Sequence, residues 1–130
     1  MQPISAPRRF LALIFLPCLL AVLAFGRWSG DLARGEDALI QRQYQLAVGH
    51  LRAAAEELDG VERQRARLLL GQALALSGNA RAAVATYRRL RTISPDAGMR
   101  RAVAFRLVAI YRDKAPDPDE ARRWLRAMLD

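Results

Sequence analysis

A glycine inside an alanine-rich stretch is the feature that most limits what this chain can fold into. Leu70 to Ala83 reads LGQALALSGNARAA, and most of these residues are strong helix formers. Gly71 lies inside the first half of that stretch, where a glycine costs roughly 1 kcal/mol relative to alanine. Because a side chain there would block the close approach of another helix, we expect Gly71 to face a second, antiparallel helix.

The turn between the two expected helices is the Ser-Gly-Asn sequence at residues 77–79. Its glycine suits the left-handed conformation that ends a helix, and its asparagine can cap the next one. On the second helix, Ala83 is the small residue expected to meet Gly71, and Pro95 ends that helix. The residues expected to fill the space around this contact are Leu70, Leu74, Tyr87 and Leu90.

The spacing in this hairpin resembles that of the tetratricopeptide repeat (TPR), a family pattern of about 34 residues. The positions that match are Leu70, Gly71, Leu74, Ala83, Tyr87 and Pro95, all within residues 64–97. Leu74 replaces an aromatic residue of the pattern, Tyr87 replaces phenylalanine, and Arg67 stands where tryptophan is expected. The resemblance implies an α-solenoid of helix pairs that binds segments of other proteins.

Weaker copies of the same spacing flank the central one. The upstream copy consists of Gly35 and Ala38, then Tyr44, Ala47, Leu51 and Ala54, with Asp59-Gly60 expected to end its second helix. The downstream copy consists of Leu107, Val108 and Tyr111, then Ala121, Leu125 and Met128 after a turn one residue longer. Asp117 is expected to cap the last helix, with Glu120 three residues after it. The sequence therefore predicts an all-α solenoid of about three helix pairs.

Residues 10–26 form a run without a charge, FLALIFLPCLLAVLAFG. A helix of this length is at the short end of what crosses a hydrocarbon core of ~30 Å. Arg8 and Arg9 precede the run with no acid, which the positive-inside rule associates with the cytoplasm, and Trp28 suits an interfacial position after it. We expect this run to be a transmembrane signal anchor.

The chain then divides into a cytoplasmic stub over residues 1–9, an anchor over 10–26 and a periplasmic domain over 27–130. The protein is expected in the bacterial inner membrane, crossing it once. The alternative is a secretory signal peptide, cleaved after the small residues Ala24 and Gly26, which would release the domain as a soluble factor.

No constellation in the sequence indicates catalysis. There is one cysteine, Cys18, and one histidine, His50, so no spacing resembles a disulfide framework or a metal site. The acids at residues 56–57 and 117–120 are interpreted as a solvent-exposed helix end and a helix cap, and His50 as a half-exposed surface residue. No phosphate loop, nucleophile elbow or zinc motif occurs, so we expect neither a cofactor nor enzyme activity.

The net charge of +8 comes almost entirely from arginine. Many arginines fall on the expected second helices, which form the convex side of a solenoid: Arg52, Arg81, Arg88, Arg89, Arg91, Arg122, Arg123 and Arg126. The simplest interpretation is a solvated face, and a second one is attraction to anionic lipid near the anchor. Binding to nucleic acid would fit the high pI but conflicts with a periplasmic location.

The concave face of such a solenoid is lined by the first helix of each pair. The candidate groove residues are Leu32, Glu36, Leu39, Ile40, Arg65, Leu68, Gln72, Ala75, Leu76, Phe105, Ala109 and Arg112. This mostly apolar groove suits an amphipathic or extended segment of a partner. Leu32 and Glu36 stand where a clamp for a peptide carboxylate would need a base and an amide, so that mode is not expected. An exposed apolar edge on the last pair would favour a partner or self-association.

The sequence thus predicts a non-enzymatic scaffold or accessory factor, anchored in the inner membrane, that assists assembly or maturation of a membrane or periplasmic complex. The alternative is a secreted TPR module that aids maturation of a periplasmic enzyme. A basic helical protein that binds nucleic acid is the third hypothesis.

Overall fold

The computed structural model describes residues 30–129, and this part of the chain forms six helices and no strand. The helices are α1 (residues 30–40), α2 (Tyr44–Glu57), α3 (Gly60–Leu76), α4 (Ala80–Ile93), α5 (Ala97–Asp113) and α6 (Pro118–Leu129). The all-α prediction is confirmed over this range. The expected stub over 1–9 and the expected anchor over 10–26 lie outside the described residues, and so does Cys18. None of the helices within residues 30–129 is long and apolar enough to span a membrane.

The boundary between α3 and α4 follows the expected capping chemistry. Gly78 has a φ of +91°, in the left-handed region that favours glycine. The Asn79 side-chain oxygen accepts a hydrogen bond from the backbone N–H of Ala82 at 3.2 Å. At the start of α6, Asp117 Oδ1 accepts from the backbone N–H of Glu120 at 3.1 Å. Both predicted caps are therefore confirmed.

The boundary between α2 and α3 differs from the expectation for Asp59-Gly60. The α2 helix already ends at Glu57, and Gly60, with a φ of +56°, begins α3. The Arg63 Nε–H donates to the Leu58 carbonyl oxygen at 2.5 Å, and its Nη2 bonds Asp59 Oδ1 at 2.7 Å. The α3 helix thus binds the link that precedes it, which leaves only two residues between the helices.

Gly71 marks a close approach between α3 and α4, and the side chain nearest to it is Tyr87 rather than Ala83. A Cβ added to Gly71 would lie 2.7 Å from Cζ and 2.8 Å from Cδ1 of the Tyr87 ring. Ala83 is fully buried in the same interface, yet the ring of Tyr87 covers the Gly71 Cα. The expectation of a Gly71–Ala83 contact is thus corrected to Gly71–Tyr87, because the flat ring needs the space that a side chain would take.

The first hairpin repeats this arrangement. A Cβ added to Gly35 on α1 would lie 2.5 Å from Cγ of Leu51 on α2. Leu51 follows Gly35 at the same sequence separation as Tyr87 follows Gly71. The equivalent residues of the two second helices are fully or almost fully buried: Ala47, Leu51 and Ala54 in α2, and Ala83, Tyr87 and Leu90 in α4. Two hairpins of one design therefore form most of the core.

The last hairpin is built differently. Leu107 on α5 is fully buried, as its expected equivalence to Leu70 requires, but α6 has no buried residue. Leu125, expected at the place of Tyr87, is 49% exposed, which contradicts that equivalence. Trp124 packs against the core instead. As expected, the last helix leaves apolar surface open, since Leu129 is 89% exposed.

Candidate functional site

The first helices of the hairpins lie side by side, so the predicted groove residues share one face. The α3 helix contacts α5 directly. Arg65 Nη2 on α3 forms a salt bridge with Glu36 Oε1 on α1 at 2.6 Å. Two of the predicted polar handles of the groove therefore neutralise each other, and we call the surface formed by α1, α3 and α5 the groove face.

The predicted residues divide between exposed and core positions on this face. Ile40, Phe105 and Leu76 are 79%, 59% and 41% exposed. The residues Leu39, Leu68, Gln72, Ala75 and Ala109 are half-buried, and Arg65 and Arg112 are exposed. Leu32 is only 8% exposed and packs in the core. It is corrected from a groove residue to a structural one, because the α1 face on which it lies turns towards the other helices.

A cavity of about 160 Å³, which we call the pit, opens between α3 and α5. Its apolar lining comes from three helices and consists of Ala75, Leu76, Tyr87, Ala109 and Ile110. Tyr87 and Ile110, the two deepest of these, belong to the core. The pit thus brings Leu76 and Ala109, two predicted groove residues, to opposite sides of one depression.

The polar lining of the pit consists of two basic residues, one acidic residue and one amide: Arg106, Lys114, Asp113 and Gln72. Asp113 receives two hydrogen bonds from Arg112, with Nε–Oδ1 at 2.6 Å and Nη2–Oδ2 at 2.7 Å. These bonds hold the pKa of Asp113 below its usual value, and the charge of Arg112 contributes to the same shift. Since Arg112 offsets the charge of this carboxylate, Arg106 and Lys114 determine the sign of the pit, which is positive.

Tyr87 joins the pit to the core. Burial raises the pKa of its phenol to about 12, and the nearby charge of Arg106 opposes that shift. The ring is 1% exposed, so it forms a wall of the pit rather than a group that a partner reaches. The same side chain therefore closes the α3–α4 hairpin and shapes the pit beside it.

The sequence prediction missed Arg106, Ile110 and Asp113, although a signal for them exists. With Ala109, they lie at i, i+3, i+4 and i+7, which places all four on one stripe of α5. The α3 residues of the pit, Gln72, Ala75 and Leu76, follow the same rule. The prediction selected Phe105 instead of Arg106, which rotates the expected face of α5 by one residue.

An open depression lies next to the pit and shares Leu76 with it. It is lined by residues 42–46 and by Ser77, at the turns that join α1 to α2 and α3 to α4. Leu46, in that lining, is 52% exposed. Apolar surface therefore continues from the pit towards these turns.

The other polar groups singled out in the sequence are a paired histidine and exposed acids. His50 Nδ1 lies 2.9 Å from Asp31 Oδ1, which links α2 to α1. Glu56 and Glu57 are exposed, as expected. In the range 30–129, no group of three or more His, Cys, Asp or Glu side chains is placed to hold a metal ion.

Several arginines of the second helices hold the molecule together rather than face solvent alone. Arg88 Nη2 donates to Glu120 Oε2 and to the Tyr111 hydroxyl, both at 2.9 Å. The guanidinium carbons of Arg88 and Arg91 lie 5.9 and 5.2 Å from the centre of the Trp124 ring. The α6 helix is therefore attached to α4 through charged and aromatic groups.

Comparison with known proteins found no family model, no curated protein and no solved structure that matches the chain.

Proposed function

We propose that residues 27–130 form a TPR-like interaction domain that binds a segment of another protein on the groove face and does no chemistry of its own. The observation that carries this proposal is the pit, an apolar cavity that opens between two first helices. Leu76 lines the pit and Phe105 lies one helical turn before Ala109, and both are exposed apolar side chains that extend the surface that a partner segment would cover.

The proposed cellular role is that of a scaffold or accessory factor for assembling or maturing a membrane or periplasmic complex. The uncharged run over residues 10–26 supports an anchor in the bacterial inner membrane, with the N-terminus in the cytoplasm and the domain in the periplasm. The repeated Gly–Ala spacing supports the TPR-like assignment.

Site-specific photo-crosslinking in the native host tests the binding face. A photoreactive amino acid replaces Phe105 or Leu76 in the full chain, and replaces Arg52 or Arg81 on exposed positions of the second helices as controls. We expect a discrete protein adduct from the two groove positions and none from the controls. Adducts of equal yield from all four positions, or from the controls alone, would contradict the proposed face.

N-terminal sequencing of the mature protein tests the anchor. An intact N-terminus, together with retention in the membrane fraction after alkaline extraction, is the expected result. A mature chain that starts at or near Arg27 would contradict the predicted anchor and favour the secreted, soluble module.

A further inference from the structure

We infer that the pit takes one large apolar side chain of a partner segment, and that an acidic residue close to that side chain binds Arg106 or Lys114. This inference rests on the proposed function, because it names the chemistry of the partner segment. The juxtaposition that carries it is an apolar pit with two unmatched cations on its edge.

The size of the pit selects a single anchoring side chain. Its volume of about 160 Å³ is close to that of a 150 Å³ apolar cavity that holds a benzene ring. A leucine, isoleucine or phenylalanine side chain therefore matches it. Its walls include Ala75, Leu76 and Ala109, which have no polar side-chain atoms. Such an anchor gains free energy in proportion to the apolar area that it buries.

The charge around the pit selects an acidic neighbour for that anchor. Among the described residues, neither Arg106 nor Lys114 forms a salt bridge, whereas Asp113 is paired with Arg112, although the charge of Lys114 also acts on it. Arg106 and Lys114 are eight residues apart, which corresponds to roughly 12 Å along a helix axis. They flank Ala109 and Ile110, so a carboxylate on either side of the anchor can reach one of them. A charge-assisted hydrogen bond there is stronger than one between neutral groups.

The last helix of a second copy of this chain does not meet these requirements. Its most exposed apolar side chains on α6 are Leu125 and Leu129. They lie on the same short helix as Arg122, Arg123 and Arg126. Docking that helix into the pit would bring further positive charge to a positive edge, in a chain with a net charge of +8. An exposed apolar residue with an acid nearby does occur elsewhere in the chain, at Ile40 and Asp37, but the net charge of +8 opposes the approach of two copies and favours an acidic segment of a different protein.

Selection from a degenerate library of displayed twelve-residue peptides tests the inference on the full 130-residue chain. Peptides are selected on the unchanged protein after depletion on the Ala109→Trp variant, whose indole fills the pit. We expect enrichment of Leu, Ile or Phe at one position, with Asp or Glu within four residues of it. Selected peptides that lack either feature would overturn the inference, and so would a selection that enriches nothing.

Charge reversal provides the sharper measurement. The most enriched peptide is labelled with a fluorophore, and its affinity is measured by anisotropy. The Arg106→Glu/Lys114→Glu variant should bind it at least about tenfold more weakly and should prefer the version with Lys in place of its acids. The Arg52→Glu/Arg81→Glu variant changes the net charge equally at exposed positions of the second helices outside the pit, and should bind as the unchanged protein does.

Two further binding measurements test the apolar anchor of the peptide and the alternative that the site recognises any polyanion. Replacing the anchor of the peptide by Ala should also reduce affinity about tenfold or more. If a twelve-nucleotide single-stranded DNA binds as tightly as the peptide, the site recognises polyanions and the inference is wrong. If Ala109→Trp fails to fold, as judged by circular dichroism, the Leu76→Ser variant replaces it, since that side chain is already 41% exposed.

The two proposals fail separately. Protein adducts at Phe105 and Leu76, combined with no preference for acidic peptides, would leave the interaction face in place and remove only the inferred partner chemistry. Loss of the position-dependent adducts would remove the proposed function itself.

Discussion

The middle and last hairpins carry similar spacings in sequence but close in different ways. In the α3–α4 hairpin, Gly71 leaves room for the ring of Tyr87, which is 1% exposed. In the α5–α6 hairpin, Val108 stands at the place of the glycine, and no residue of α6 is buried. The α4 helix also lies between α3 and α5, whereas α6 packs closely only against α5 among the described helices. The comparison teaches that a second helix enters the core where a small residue makes room for its side chain and a following helix covers it.

The α6 helix packs along α5, and a set of contacts near the surface attaches it to α4 as well. Trp124 lies against Arg88 and Arg91, and its Nε1–H donates to Glu120 Oε2 at 3.1 Å. Glu120 also pairs with Arg88 at 2.9 Å. Such contacts contribute about 0.5–1 kcal/mol each and weaken with salt, unlike the burial of a large apolar side chain. The attachment of α6 to α4 is therefore weaker than the closure of the middle hairpin.

The substitution Gly71→Leu should have the largest effect, because it attacks the contact that distinguishes the middle hairpin. Its side chain would overlap the Tyr87 ring, and we expect a loss of about 3 kcal/mol in the free energy of unfolding, measured by denaturant titration. Gly49→Leu is the matched control, since nothing lies within 4 Å of its added Cβ. That control should be neutral or stabilising by up to about 1 kcal/mol. Equal free energies of unfolding for the two variants would contradict the close Gly71–Tyr87 contact.

High pH should destabilise the middle hairpin through Tyr87. Its pKa is raised from 10.0 to about 12 in the folded chain, so above pH 10 the unfolded chain loses the proton first. The buried, protonated phenol thus makes its full contribution to the free energy of unfolding below pH 10. That contribution, about 2–3 kcal/mol, is lost as the pH rises towards 12. Tyr87→Phe should remove this part of the decrease between pH 10 and 12. An unchanged pH dependence in that variant would show that the phenol is not buried as described.

The substitution Trp124→Ala should have the smallest effect, because it removes only contacts that attach α6 to α4. We expect a loss of about 1–2 kcal/mol and faster amide hydrogen exchange in residues 118–129, with α3 and α4 still protected. Trp124→Phe keeps an aromatic face for the arginines and should recover part of the loss. A destabilisation as large as that of Gly71→Leu, spread over all helices, would contradict the distinction between the two hairpins.

Much of the fold was predictable because its signals are local. The turn at residues 77–79 and the cap at Asp117 follow from the chemistry of single side chains next to helix ends. The link between α2 and α3 was not predicted correctly. The sequence Asp59-Gly60 is typical of a helix end, but Gly60 begins α3, and Arg63 of that helix donates hydrogen bonds to Leu58 and Asp59 before it.

The candidate site was predictable only in part. Gln72, Leu76 and Ala109 were assigned to the groove and do line the pit. Arg106 and Lys114 were not assigned, although they determine its charge. Choosing between Phe105 and Arg106 requires the rotation of α5 about its axis, and a helix with apolar residues on several sides leaves that rotation open.

The sequence by itself determined which segments are helical, where most of them end, and that α3 must meet another helix at Gly71. These properties depend on backbone propensity, caps and the absence of one side chain. Only the tertiary structure decided that Tyr87 rather than Ala83 covers that glycine, that α5 turns Arg106 towards the pit, and that Trp124 rather than Leu125 attaches α6. Those outcomes depend on the stagger and rotation of whole helices, which many weak contacts set together.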